Sequence, residues 1–528
     1  MLQELEIGFP LLSLLLALPL IGAIALWFVE DEEFIKVGAL VVSGLELVLA
    51  VGLLLGFVPD SAAMQFSERA QWIPSLGINY HLGVDGISIL FVGLTALLTV
   101  LIVLHSWDTI RDRMKAYYMA LLALEATTIG IFVSLDLIVF FVFWELMLIP
   151  SYFLIKLWGV GVDRQYAALK FTLYTLLGSV FMLVGIVLLN LNFHRYALSH
   201  HLETSYSFDF VQLLTVPIAP DEQMLIFWMI FLGLAFKAPM FPFHTWLPDA
   251  LVQGPIGMAV SLAGIKLGTY GFMRISLPLL PDASRNKIVA GIMMTLAVAA
   301  IVYGAIVALM QSDFRRLLAF SSVSHLGFVV VGLFALNHQG LEGSLLTMIN
   351  LGFSTAGLFF IAGFLLHRSQ TTSLSAFGGL AKKVPVLATF LLIIGMASIG
   401  LPGTNGFVGE FLILLGAFQA SKVAGIVAVS GVIFGAAYFL WYYERSMFGP
   451  LGETVPKLLA DLNVREKVIC VSLSVMIFWI GLYPSPFLHM MQGSIQAITE
   501  RLEKGGATAM IAEPPSGERL AARSHGSE

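Results

Sequence analysis

The chain has a single cysteine, Cys470, in 528 residues. One thiol excludes an internal disulfide, a cysteine-ligated cluster and a CxxC redox pair. Charge is scarce too: 12% of residues are Asp, Glu, Lys or Arg, against 58% that are hydrophobic. No soluble fold of this size leaves so little polar surface, which excludes a soluble enzyme and leaves a polytopic membrane protein. The net charge of −6 is spread thinly and contains no basic block, so nucleic acid is excluded as a partner. No nucleotide or metal motif is present, which argues against a standalone redox enzyme. A cleavable signal is missing as well, because the first apolar run begins with Glu4 and Glu6 instead of a basic segment.

Apolar runs are what remain. They fall near 8–29, 35–58, 87–107, 117–135, 137–157, 168–192, 224–242, 255–276, 288–310, 316–336, 344–366, 386–419, 423–444 and 468–490. At ~20 residues per crossing they predict an all-α bundle of about fourteen transmembrane helices. The 386–419 run is too long for one simple span, and Pro402-Gly403 divides it. The 117–157 region is open to a different division around Asp136. Loops after odd-numbered helices carry about fifteen Lys and Arg, Arg315 among them; those after even-numbered helices carry about six, including Arg274. The odd loops are therefore expected in the cytoplasm, with both termini on the opposite side. The longest polar connection, 193–223, holds His194, His200 and His201 and is read as a solvated loop, because no Cys or spaced carboxylates accompany them.

Against this apolar background the charges inside spans stand out. Glu125, Asp136, Glu145, Lys156, Lys237, Lys266, His325 and Glu410 all lie within or beside apolar runs. An ionisable side chain at membrane depth must be satisfied by a partner or by water, so such residues mark ion and proton pathways. Lys237 closes an apolar run and is followed by Pro239 and Pro242, which break the helix beside the charge. Broken backbone at that depth is tolerated where protein buries it or water fills the space. The plainer alternative is a lysine snorkelling to the headgroups from a helix end. Glu410 follows a second break, Gly-Leu-Pro-Gly-Thr-Asn-Gly. A buried Glu–Lys pair is a natural switch, since separating it changes both proton affinities in opposite senses. His325 titrates near physiological pH when unperturbed and can bridge two proton carriers. The two breaks lie about five helices apart, as in transporters built from inverted repeats.

At these residues a resemblance becomes specific. Glu145 in FWELMLIPSYFLI, Lys237 in FKAPMFPFHTWLPDA, His325 in SDFRRLLAFSSVSHLGF and Glu410 in LPGTNGFVGEF resemble the NuoM/NdhD family, as does GVDGIS at 83–88. That family is subunit 4 of respiratory and photosynthetic complex I, related to Mrp-type cation/proton antiporters. The similarity runs from about 80 to 445. It implies two inverted five-helix repeats, each with a broken helix. Residues 1–107 would hold the first three helices, 108–276 the first repeat, 277–444 the second, 445–502 the last helix, and 503–528 a disordered tail. The resemblance also assigns roles: Glu145 and Lys237 as the switching pair, Lys266 and His325 as axial carriers, and Glu410 as the terminal group. Partners would be the other membrane subunits, including further antiporter-like ones, and the lipid bilayer. Flavin, clusters and quinone would sit in those partners.

Three departures are visible. Leu251 stands where the family has a histidine, and Gln253-Gly254-Pro255-Ile256 follows it. The lysine helix reads Gly-Ile-Lys-Leu-Gly, two residues short of the usual spacing, and two residues turn a helix by ~200°. Leu351 replaces a relay histidine, with Asn350 beside it. Such divergence resembles a specialised paralogue of the cyanobacterial thylakoid, in complexes for CO2 uptake that use plastoquinone and engage a CO2-hydrating module; the alternative location is a bacterial inner membrane. The function expected is proton translocation in an NAD(P)H- or ferredoxin-driven quinone oxidoreductase. The alternatives are an Mrp-type Na+/H+ antiporter subunit and a scaffold that has lost pumping.

Overall fold

In lipid, each backbone N–H and C=O must find a partner within the protein, and apolar runs of ~20 residues do so as helices. In the computed structural model they do form helices. Residues 4–5, 8–59, 61–202, 206–451 and 460–505 are described. Among them, 10 helices are long and apolar enough to cross a membrane, or up to 11 if the bent pair Val464–Leu482 and Ser485–Lys504 is one span. Leu11–Trp27, Pro385–Ser398 and Asn405–Ala420 are shorter apolar helices. Three segments form the centre: Ile256–Leu279, Phe314–Phe334 and His338–Ser369 each have 94% of an 18-residue apolar stretch buried. Glu32–Gly56, at 28%, and Arg164–Ser199, at 39%, face outward with apolar side chains.

A small sheet corrects the all-α expectation. Strand β1 (Glu4–Leu5) pairs in parallel with β2 (Met64–Ile73), which pairs antiparallel with β3 (Ile78–Val84). Pro74–Leu76 turns the chain between β2 and β3, and Gly77, at φ 70°, closes the turn. These strands alternate polar and apolar residues over too short a stretch to register beside twenty-residue apolar runs. Isolated bridges tie the sheet side to the loops, Leu82 to Ser134 and Asp136 to Asp209.

The expected division of 117–157 is resolved by Asp136. It caps the Leu137–Leu146 helix, accepting from the N–H groups of Ile138 and Val139. Asp136 is therefore a buried cap at a helix end, not a charge within a span. The polar connection after residue 192 is also shorter than expected, because the helix from Arg164 continues to Ser199. No Gly or Pro interrupts Asn192–Ser199, and Phe193 and Ala197 keep it packed on the core. His194 stacks on Tyr206, centroids 4.2 Å apart, and His200 on Tyr196 at 4.0 Å. At the C-terminal end, one expected helix becomes two, with a 69° bend between Leu482 and Ser485. The expected disordered tail from 503 begins as the last helical residues, Glu503 and Lys504; from 506 onward it lies outside the described residues.

Both sequence-read breaks are present. The Pro220–Lys237 helix stops at Lys237, and the chain resumes with a 3-10 turn at Phe243–Thr245 and an α-helix from Trp246. Pro385–Ser398 and Asn405–Ala420 are separated by a turn in which Gly400 and Gly403 take φ of 75° and 90°. A side chain there would be strained, which is why glycine occupies both positions.

Candidate functional site

Lys237 is the last residue of its helix, and its ammonium is buried without a hydrogen-bond partner among the described residues. Two rings flank it instead: its Nζ lies 5.2 Å from the Trp144 ring centroid and 5.8 Å from that of Phe171. Cation–π attraction of this kind holds a desolvated ammonium by about 0.5–2 kcal/mol. Glu145, next to Trp144, is close enough for its charge to act on Lys237, without a hydrogen bond between them. The Ser179 hydroxyl lies beside Glu145 and donates to the Leu176 carbonyl at 2.9 Å. Below the lysine, the Trp246 indole N–H donates to Phe236 O at 2.8 Å and fixes the broken end.

Lys266 settles the spacing question raised by its short helix. Ile265 is extended, with φ −103° and ψ 118°, and Lys266 sits outside helical geometry, with φ −100° and ψ 66°. Helix Ile256–Gly264 therefore ends before Lys266, and Leu267–Gly271 begins after it. The break removes the rotational mismatch that an unbroken helix would impose. The Lys266 ammonium turns back to donate to the Ala263 carbonyl, one of those the break leaves free. Gly268 brings this helix against the lysine helix: a Cβ there would lie 2.3 Å from Ala238 N, the residue after Lys237. Lys237 and Lys266 consequently line one cavity of about 30 Å³, together with Met147, Leu247, Ile265 and Leu326. That volume holds one or two waters.

The second half of the candidate set meets around His325. Its Nδ1 lies 3.2 Å from Glu410 Oε1, an ion-pair distance without the angle of a hydrogen bond. Its Nε2 lies 3.3 Å from the Tyr438 hydroxyl. Lys266, His325 and Glu410 are 5%, 5% and 7% exposed, so all three sit inside the protein. Leu326, beside His325, walls the lysine cavity, which places the imidazole one residue from it. Asn350, adjacent to Leu351, donates to Asn405 O at 2.6 Å, and Asn405 donates back to Asn350 O at 3.2 Å. The amide oxygens of both are buried and without partners among the described residues, so two acceptors remain near the start of the Glu410 helix. Leu251 is fully buried; its carbonyl and that of Gly254 accept from Arg315 at 2.5 and 2.6 Å. A guanidinium at a helix C-terminus satisfies carbonyls that the helix cannot.

Some members were missed from sequence. Arg315 and Arg274, counted as loop cations, are 2% and 4% exposed. Arg274 lies in the π-turn Phe272–Ser276 and grips Asp85 with two bonds of 2.8 and 2.5 Å. The Gly-Val-Asp-Gly-Ile-Ser segment named Asp85, but nothing in the sequence paired it with a residue 189 positions away. Glu46, on the outward-facing Glu32–Gly56 helix, is wholly buried. The sequence did hold a signal for it, a lone Glu within the 35–58 apolar run. Lys156 turns out to be partly exposed near its helix end, 3.0 Å from the Tyr152 hydroxyl, and joins neither cluster.

Comparisons with known proteins agree with this geometry. Residues 134–435 match the family described as NADH:quinone oxidoreductase/Mrp antiporter, TM. NADH-quinone oxidoreductase subunit M of Rhodobacter capsulatus is 41% identical over 504 residues, covering 93% of this chain and 96% of that protein. Subunit M of Rickettsia typhi is 38% identical over 497 residues, covering 92% and 98%. Among solved structures, respiratory complex I from Thermus thermophilus contains a chain of 32% identity and TM-score 0.83, covering 94% of this chain and all of that one. A chain of the Mrp complex from Dietzia has TM-score 0.79 at 21% identity, covering 93% and 97%, and speaks to the fold alone. This chain belongs to the NADH:quinone oxidoreductase/Mrp antiporter family, as a complex I-type, antiporter-like membrane subunit of the subunit M group.

Proposed function

We propose that this subunit translocates protons through the membrane arm of an NADH:quinone oxidoreductase, with Glu145, Lys237, Lys266, His325 and Glu410 as the relay. The observation that carries the reading is Lys237: a buried ammonium without a hydrogen-bond partner among the described residues, at a helix break, sharing a cavity with Lys266. An ammonium held by rings and a distant carboxylate changes its proton affinity when that carboxylate moves or is neutralised. Charge changes relayed from partner subunits would shift the Glu145–Lys237 pair. A proton released from Lys237 passes to Lys266 through the cavity water, then to the His325–Glu410 pair. Redox chemistry belongs to the partners, and no cofactor is assigned to this chain.

The reading includes fourteen spans with two inverted repeats of about five helices, supported by the breaks after Lys237 and Ser398. Both termini are placed away from the cytoplasm on the distribution of loop Lys and Arg. The relatives named above are NADH-quinone oxidoreductase subunits, which favours the respiratory form over a plastoquinone-using, CO2-uptake form with a CO2-hydrating module. A scaffold without pumping is favoured only by the apolar Leu251 and Leu351. The two acceptor oxygens at Asn350 and Asn405 weigh against it, because they can hold water beside Leu351. The test is proton uptake by vesicles holding the assembled complex, driven by NADH with and without sodium. Uptake that requires NADH and ignores sodium is expected; sodium-dependent uptake without NADH would move the protein to the Na+/H+ antiporter reading.

A further inference from the structure

Glu125 is 2% exposed on the Met114–Val133 helix, and Glu46 is 0% exposed on Glu32–Gly56. None of their carboxyl oxygens has a hydrogen-bond partner among the described residues, and Glu46 lies near enough for its charge to act on Glu125. No basic residue lines the space around Glu125. That space is a cavity of about 10 Å³, walled by Thr95, Thr99, Thr128, Ser261 and Ile265 among others. Such a volume is at the lower limit for one water.

The hydroxyls around it are already committed as donors. Thr95 donates to Phe91 O at 2.7 Å, Thr99 to Thr95 O at 3.0 Å and Thr128 to Leu124 O at 2.6 Å. A carbonyl can only accept, so each of these hydroxyls has spent its hydrogen and presents lone pairs to the cavity. A carboxylate there finds no free donor: Thr99, the hydroxyl beside it, can favour the carboxylate only by giving up its bond to Thr95 O, whereas a protonated carboxyl group finds acceptors already in place. Two carboxyl groups within each other's field cannot both ionise in such a place, so the pair holds a proton between them.

The cavity also leads somewhere. Ile265, the extended residue at the helix break, lines both this cavity and the one shared by Lys237 and Lys266. Ile265 therefore stands between the cavity at Glu125 and the cavity of the two lysines. We propose that Glu46 and Glu125 form a proton-holding side site that supplies Lys266 past Ile265. In the step, the Glu125 O–H bond breaks and an N–H bond forms on neutral Lys266, leaving a carboxylate and an ammonium. Glu46, itself buried without a hydrogen-bond partner among the described residues and carrying a proton, then shares it with the Glu125 carboxylate, so that the pair gives up one proton and keeps one. This inference rests on the lysine relay proposed above.

The test compares NADH-driven proton uptake in vesicles holding the assembled complex with wild type, Glu125→Gln, Glu46→Gln and Lys237→Met. Glu125→Gln is expected to slow uptake about tenfold or more, as loss of a positioned proton carrier does, and Glu46→Gln by less. It is also expected to abolish a protonated-carboxyl infrared band that disappears and returns during turnover of the wild-type complex; a merely structural glutamate would contribute only a constant band. If Lys237→Met stops uptake while Glu125→Gln keeps the wild-type rate and band, the side site is refuted and the lysine relay stands. If neither variant slows uptake, both fall. If Glu125→Gln prevents assembly, Glu46→Gln decides: unchanged uptake and an unchanged band refute the pair.

Discussion

Nδ1 of His325 lies 3.2 Å from Oε1 of Glu410, a contact between two helices that a break after Ser398 makes possible. Glu410 can reach the imidazole because glycine at 400 leaves room beside it: a Cβ there would lie 2.8 Å from Glu410 Oε2. A proton reaching His325 thus has an adjacent acceptor, and Tyr438 fixes the other ring nitrogen. Replacing Glu410 by Gln keeps the shape and removes the acceptor. Proton uptake per electron is expected to fall, with a slowing of about ten- to a hundredfold in the step through this half. His325→Ala on the Glu410→Gln background is expected to add little further loss, since the two act as one unit. A double-mutant cycle on uptake rates checks this.

Arg274 and Asp85 are a buried, two-bond ion pair, with the Arg274 Nε also donating to the Tyr270 hydroxyl at 3.0 Å. Removing one partner leaves the other charge uncompensated, which costs about 3–5 kcal/mol. Arg274→Met is therefore expected to lower the thermal stability of the complex and the amount of assembled subunit. The double variant Arg274→Met with Asp85→Leu is expected to recover part of that loss, because it buries no lone charge. Thermal unfolding monitored by assembly on native gels decides between additive and compensating effects.

Gly268 is the contact point between the two lysine-bearing helices. A methyl group placed 2.3 Å from Ala238 N forces the backbones apart. Gly268→Ala is expected to destabilise by about 1–3 kcal/mol and to widen the shared cavity. Uptake is expected to slow more than electron transfer, a difference read by measuring both in the same vesicles.

Outside the spans, Asp209 accepts from His81 at 2.8 Å and lies 3.2 Å from Arg69. Burial pushes its carboxyl upward, but the bond from His81 and the charges of His81 and Arg69 prevail and hold it below the ordinary value of 3.8. A carboxyl depressed in the folded state binds protons less readily there than when unfolded. Its contribution to stability is thus full above pH 3.8 and is lost as the pH falls through the folded value. Asp209→Asn is expected to flatten the acid limb of the stability curve and to leave the neutral range less stable. Acid titration of thermal unfolding, variant against wild type, measures both.

How far the sequence could be read follows from where each signal lies. The breaks at Lys237 and after Ser398 were legible because Pro and Gly act within a few residues of themselves. The charges at Glu145, Lys237, Lys266, His325 and Glu410 were legible because each stands in an apolar run, a signal that Glu46 carried too. Asp85–Arg274 was not, since pairing across 189 residues leaves no local trace. The sheet β1–β3 was missed because short alternating strands are weak beside long apolar runs. Lys266 lay between the two cases: its spacing signalled a mismatch, and the extended Ile265 that absorbs it is a conformation no local residue dictates.

The central claim is that Lys237 carries protons instead of merely filling a helix end. The measurement that tests it most directly is NADH-driven proton uptake per electron in vesicles holding the assembled complex, wild type against Lys237→Met. Methionine fills the space between Trp144 and Phe171 and cannot bind a proton. Loss of this subunit's share of uptake, with the complex intact and electrons still transferred, is the expected result. An unchanged ratio in an intact complex would contradict the relay and leave Lys237 a structural residue.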